Sequence, residues 1–186
     1  MKETYKNLVR AIAGESMARN KYTYFASQAK KEGYEQIAAI FTETADNEKE
    51  HASRLMKLLD GATEADLAQF DFPIVGKTID NLIVAAKGEK HEWSQMYPDF
   101  ETVARNESLL EIADVFKEIG EVEEEHEKRY LKLADNIKKG IVFKRDKSVK
   151  WHCRNCGYVH EGKEAPQECP ACAHAQAFYE LLAENY

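Results

Sequence analysis

Two groups of side chains in this sequence have the types and spacing of metal ligands. The first is four cysteines in two C-x-x-C pairs, Cys153/Cys156 and Cys169/Cys172, with twelve residues between the pairs. Two such pairs bring four thiolates to the corners of a tetrahedron, which suits zinc as a structural clip or iron as a one-electron carrier. The second is a Glu-x-x-His that occurs twice, as Glu48/His51 and Glu123/His126, each with a glutamate upstream, Glu15 and Glu89. Glu15 precedes Glu48 by 33 residues and Glu89 precedes Glu123 by 34, so the layout repeats internally. One Glu from each of two helices, with a Glu-x-x-His from each of two others, is the donor set of di-iron and di-manganese carboxylate bundles.

Such donors must be carried by helices that face one another, and the apolar periodicity supplies them. Ala11, Glu15, Ala18, Tyr22 and Phe25 share one helical face, with Glu15 its lone charge. Ile37, Phe41, Thr44, Glu48, His51 and Leu55 form a second stripe, and Leu82, Ala85, Glu89, Glu92 and Met96 a third. The fourth runs Ile112, Phe116, Ile119, Glu123, His126, Tyr130 and Leu133. Glu118, Glu121, Glu124 and Glu125 point off that stripe and read as solvated. Nothing cationic lies on the four stripes, and an unpaired buried carboxylate costs several kcal/mol even after relaxation. Five carboxylates and two imidazoles at mid-stripe therefore call for bound cations.

Glu92, three residues after Glu89 on the same face, is a fifth carboxylate beyond the symmetric set. It reads either as a ligand or as a group standing just outside the metals. As an oxygen ligand it would favour a ferric ion, whereas a neutral imidazole suits a ferrous one, so an exchange between Glu92 and His51 is expected. Tyr22 and Tyr97 are candidate hydroxyl donors behind the ligands.

The four helices are expected over about Glu3 to Lys31, Glu35 to Leu59, Lys77 to Met96 (closing before Pro98) and Phe100 to Lys139. A polar connector with a short helical piece from Thr63 to Phe70 joins the two hairpins. Short links within the pairs and a longer one between them give an all-α four-helix bundle with one crossover, the ferritin-like arrangement. From Ile141 helical periodicity stops, and a Gly-, Pro- and Cys-punctuated segment runs to Tyr186. The expected domains are thus 1–140 and 141–186, the second too small to bury much core without a metal staple.

Composition narrows the function. A net charge of -7 argues against nucleic acid, because phosphate binding needs a basic surface. No apolar run approaches the roughly 20 residues that span a bilayer, so no membrane is expected. The opening Met1-Lys2-Glu3-Thr4-Tyr5 lacks the apolar stretch of a signal peptide, and paired cysteines fit metal ligation in a reducing compartment. A cytoplasmic protein is expected.

The bundle donors, the linker and the four-cysteine tail together resemble the rubrerythrin family over essentially the whole chain. Tyr158-Val159-His160-Glu161-Gly162 followed by Cys169-Pro170-Ala171-Cys172 is similar to that family's rubredoxin-like domain. The resemblance implies two non-haem irons held by Glu15, Glu48, His51, Glu89, Glu92, Glu123 and His126, with Glu48 and Glu123 bridging and Glu92 and His51 trading places with redox state. It implies a third iron at Cys153, Cys156, Cys169 and Cys172. It also implies peroxidase activity toward hydrogen peroxide in oxidative-stress protection, with electrons from a reduced-nicotinamide-dependent reductase or a rubredoxin. A homodimer or higher homo-oligomer would set one subunit's rubredoxin-like domain near another's di-iron site. Family tails often carry Pro and His where this chain has Ala175 and Phe178, a departure that removes no ligand. Two alternatives remain beside this reading: a dioxygen-using ferroxidase, and a non-enzymatic scaffold with structural zinc in the tail.

Overall fold

The computed structural model describes residues 2–61, 64–67 and 73–184. Helix α1 spans Glu3–Lys31 and packs along α2, Glu35–Met56. Helix α3, Thr78–His91, runs without a break into a π-helical segment, Glu92–Met96, and on into α4, Tyr97–Asn106. Helix α5, Leu110–Lys138, packs against all three. Half of the expected helical piece in the crossover lies outside the described residues, and its described part, 64–67, is not helical.

The third and fourth helices differ from expectation in where they divide. The chain does not stop at Pro98. The Tyr97 N–H bonds back to the Glu92 carbonyl, five residues earlier, so the missing N–H of Pro98 falls at a change of register where it forfeits little. The break comes instead at residues 107–109, where Ser108 adopts a positive φ of 61° and Leu109 N–H returns to the Ala104 carbonyl at 2.9 Å. Helix α2 also ends three residues early, as Leu58 and Leu59 close a tight turn onto Leu55 and Met56.

Helices α1 and α3 lack a cap from the residue before them and borrow one from the end of another helix. The Glu107 carboxylate accepts the N–H groups of Glu3 at 2.9 Å and Thr4 at 3.0 Å, and the Thr4 hydroxyl at 2.6 Å. Glu32, at the end of α1, accepts the Thr78 N–H that opens α3 at 3.1 Å. These acceptors satisfy donors that a helix start leaves orphaned and place negative charge at the positive end of the dipole.

The bundle core is in two parts. One end holds Tyr22, Phe25, Phe41, Leu82 and Tyr130, with the rings of Phe41 and Tyr130 5.1 Å apart. The other holds Leu8, Leu55, Tyr97, Ile112 and Phe116. Helices α1, α2 and α5 contribute to both ends, α3 to the first and α4 to the second, and the stripe glutamates lie between the two ends. The charged layer is thus sealed above and below by apolar packing.

Beyond α5 lies a three-stranded antiparallel sheet of order β2-β1-β3, with β1 Lys144–Cys153, β2 Val159–Glu164 and β3 Tyr179–Leu181. Its small core is Trp151, Cys153, Ala165, Cys169 and Tyr179. Phe143, just before the sheet, stacks on Tyr34 at the start of α2 with centroids 6.2 Å apart. Among the described residues no helix is long and apolar enough to cross a membrane.

Candidate metal centres

Six of the seven expected bundle residues converge. Glu15, Glu48, His51 and Glu123 offer atoms that all lie within 4.8 Å of one another, and Glu48, Glu89, Glu123 and His126 form a second such group. Glu48 and Glu123 belong to both. The Nδ1 of His51 is 3.0 Å from Glu48 Oε2 and 2.9 Å from Glu123 Oε1, while that of His126 is 3.4 Å from Glu48 Oε1 and 2.7 Å from Glu123 Oε2. Each of the two carboxylates therefore turns one oxygen to each imidazole, the posture of a bridge across two positions.

The donors fit cations and fit little else. His51 Nδ1 is also 3.7 Å from Glu15 Oε2, so three carboxylates crowd a nitrogen that can carry one proton. Both oxygens of Glu48 and of Glu123, one each of Glu15 and Glu89, and both Nδ1 atoms are buried with no hydrogen-bond partner. Eight converging orphan donors of this kind are costly unless a positive ion sits among them. The electrostatics say the same. Burial and the neighbouring carboxylates hold Glu15 and Glu89 well above the usual carboxylate range. Burial disfavours a charged His126, yet Glu123 and Glu48 push its pKa up to about 9, and His51 rises by the same pull from Glu123, Glu15 and Glu48.

Two phenols complete the layer. Tyr22 donates its hydroxyl to Glu89 Oε1 and Tyr97 donates to Glu15 Oε1, so each glutamate confined to one group has its own tyrosine. Burial, and then the adjoining carboxylate, raises both phenol pKa values and keeps the protons on oxygen. Gly120 of α5 permits the Tyr97 placement: a Cβ there would meet the Tyr97 Cβ at 3.3 Å.

Glu92 is not in either group. It opens the π segment, half-buried, where burial and the nearby Glu123 and Glu48 push its carboxyl up to about 8 and Lys21 pulls it back. Trp93, beside it, donates its indole N–H to Glu127 Oε2 at 2.6 Å and fastens the π segment to α5. Of the two residues expected to exchange, His51 stands among the donors and Glu92 beside them. His51 is the most exposed member of the groups, its side chain 14% accessible against 0–6% for Glu15, Glu48, Glu123 and His126.

Sequence reading missed two neighbours of the layer, Lys21 and Arg129, and gave Tyr130 only a place on its stripe. Lys21 lies off the α1 stripe but reaches over the Tyr22 ring, 4.9 Å from its centroid, so a cation does stand near the carboxylates. Tyr130 has a buried hydroxyl without a partner, and Arg129 clasps Thr44 and Glu43, each at 2.6 Å. A 3.6-residue stripe cannot reveal a long side chain that folds back from the next column, which is how Lys21 escaped.

In the small sheet module the four cysteine sulfurs also lie within 4.8 Å of one another. Cys153 and Cys172 are 3.9 Å apart and Cys156 and Cys169 3.7 Å. Tetrahedral metal–sulfur bonds of about 2.3 Å set edges of about 3.8 Å, and a disulfide would need about 2 Å. The thiols split in acidity: the His174 N–H chiefly draws Cys172 down to about 6, while Cys156, despite an N–H from Tyr158, is pushed up to about 12 by its three sulfur neighbours. Four sulfurs competing for protons in this way are relieved together by one metal ion.

Comparison with known proteins agrees with both centres. Residues 6–134 match the family model described as rubrerythrin, and residues 151–180 match the one described as the rubredoxin-like domain of rubrerythrin. The chain is 55% identical to a rubrerythrin of Nitratidesulfovibrio vulgaris, across 98% of this chain and 96% of that one. It is 52% identical to a rubrerythrin of Porphyromonas gingivalis, across 99% and 92%. Among solved structures it is similar to nigerythrin in a mixed-valent and in an all-ferrous state, each with a TM-score of 0.66 and 34% identity over 96% of this chain and 86% of that one. The chain therefore belongs to the rubrerythrin family, and its own residues build that family's two iron sites, a di-iron carboxylate site in the helical bundle and a four-cysteine site in a rubredoxin-like module.

Proposed function

We propose that this protein is a peroxidase: it reduces hydrogen peroxide to water in defence against oxidative stress, with electrons delivered through its four-cysteine iron. The observation that carries this reading is the presence, in one chain, of a converging carboxylate–imidazole layer and a four-thiolate module. A layer alone would serve iron handling as well. An attached one-electron carrier suits a site that must be re-reduced after every turnover. The balance is one peroxide, two electrons and two protons to two water molecules.

When bound, the two irons of the bundle supply the pair of electrons and the Lewis acidity that O–O cleavage needs. The chain does the rest. Glu15, Glu48, His51, Glu89, Glu123 and His126 would hold the irons, with Glu48 and Glu123, the two residues common to both groups, shared between them. Tyr97 and Tyr22 hold Glu15 and Glu89 in place and keep their own protons while doing so. Glu92, just outside the layer, and His51 would be alternative ligands to one iron, the carboxylate suited to its ferric and the imidazole to its ferrous state. The apolar packing at both ends excludes water, so these carboxylates act at full strength in a low-dielectric setting. Residues 1–140 form the reaction unit and residues 141–186 the electron port, fed by a nicotinamide-dependent reductase or a rubredoxin in the cytoplasm. In a homodimer or larger assembly the port of one subunit serves the bundle of another.

The test is stopped-flow oxidation of the anaerobically reduced, iron-loaded protein by hydrogen peroxide and, separately, by dioxygen. The peroxidase reading expects peroxide to oxidise the protein much faster than dioxygen does. A protein that prefers dioxygen and then accumulates a ferric mineral is an iron-handling protein instead.

A further inference from the structure

The five central carboxylates are not held alike. Glu15, Glu48, Glu89 and Glu123 are buried within the two donor groups, whereas Glu92 is half-buried and stays out of them. The same neighbours that would share metals with it, Glu48 and Glu123, repel it. Its outer place has two partners: Glu89, with which it shares a hydrogen bond, and the positive charge of Lys21. The Lys21 ammonium lies 3.5 Å from where a Cβ on Gly88 would stand. Gly88 and Glu92 are four residues apart where α3 enters the π segment, hence neighbours on one face at about 5–6 Å between Cβ positions. The bare Gly88 leaves room for the ammonium, and the Tyr22 ring, 4.9 Å away at its centroid, steadies it from the other side. Among the described residues Lys21 makes no close ion pair of its own.

We propose that Lys21 is a positioning residue: its charge holds the Glu92 carboxylate at the rim of the layer and so sets how readily that carboxylate replaces His51. This rests on the di-iron reading above. Moving Glu92 inward surrenders the attraction of Lys21. Because the inward carboxylate favours the ferric form, Lys21 biases the site toward the ferrous form and raises its reduction potential.

Loss of Lys21 could also lower the potential by removing a positive charge near the irons, so the test must separate the two routes. Redox titration of iron-loaded full-length protein is compared for wild type, K21M, E92Q and the double variant, following the bundle irons by Mössbauer spectroscopy. K21M is expected to lower the ferrous-to-ferric ratio at fixed potential by a factor between about 2 and about 100, the range of pairwise couplings between neighbouring groups. The K21M shift should vanish in the E92Q background, and the four-cysteine iron should titrate unchanged in all four proteins. An equal shift with or without Glu92, or no shift in K21M, overturns the assignment. An iron count that finds no pair of irons in the bundle fails earlier, and takes the di-iron reading down with this one.

Discussion

At the level of single residues the layer is an arrangement of acceptors that only a cation can satisfy, and the variants that test it act on one donor at a time. Replacing Tyr97 by Phe leaves the apolar ring in its cluster but removes the proton that fixes Glu15. Partners of this kind set ligand orientation, and their loss is expected to lower iron affinity or peroxide turnover by roughly 10- to 100-fold, measured by chelator competition and stopped-flow kinetics. Replacement of His51 by Ala, or of Glu92 by Gln, should slow peroxide turnover while far-ultraviolet circular dichroism and the melting temperature stay close to wild type. Unaltered turnover in both would remove the exchange from the account. The ligand residues were legible in the sequence because Glu-x-x-His at mid-stripe is a local pattern. That Glu48 and Glu123 bridge came only from the family resemblance and not from spacing, since it depends on which oxygen each side chain turns to which histidine.

Among the elements, the continuous run from α3 through the π segment into α4 matters most. A π turn is a one-residue change of register, which no hydrophobic period detects, so Pro98 read as a helix end. The same segment carries Glu92 and delivers Tyr97 to Glu15, so the irregular backbone sits where the site needs unusual directions. The flanking cores keep that geometry in place. Phe41 is fully buried against Tyr22, Phe25 and Tyr130, and its replacement by Ala is expected to cost about 3–5 kcal/mol of stability, read by chemical denaturation. The borrowed caps were also invisible in the sequence, as Glu107 serves a helix start 103 residues away. The Thr4 hydroxyl and the amide groups it joins hold the Glu107 carboxyl below its ordinary value near 4.5. A depressed carboxyl stabilises the fold above its unfolded pKa and loses that contribution as pH falls through the folded value. The melting temperature of E107Q should therefore lie below wild type at neutral pH, with the gap closing under acid conditions. A gap that persists at low pH would show that shape, not charge, makes the cap.

At the scale of the whole molecule two centres with different tasks are joined by one chain, and their stabilities are expected to separate. The bundle has two apolar clusters of its own, whereas the sheet module has five buried core residues, two of them cysteines. Stripping the four-cysteine metal with acid or a chelator should therefore unfold residues 141–184 while helix content survives, as hydrogen exchange would show by loss of protection confined to the sheet. The general plan was legible from spacing alone: four stripes, one crossover and two cysteine pairs. The side chains that tune the plan were not, because Lys21 reaches the layer from an off-stripe position. The account turns on both centres holding iron and exchanging electrons. The decisive measurement is an anaerobic titration of the fully reduced protein with hydrogen peroxide, followed in the visible spectrum. The account predicts consumption equal to one electron per bound iron and the return of a red ferric-thiolate colour as the bundle irons oxidise. A protein that stays colourless throughout, with zinc at the four cysteines, would contradict it by breaking the electron path.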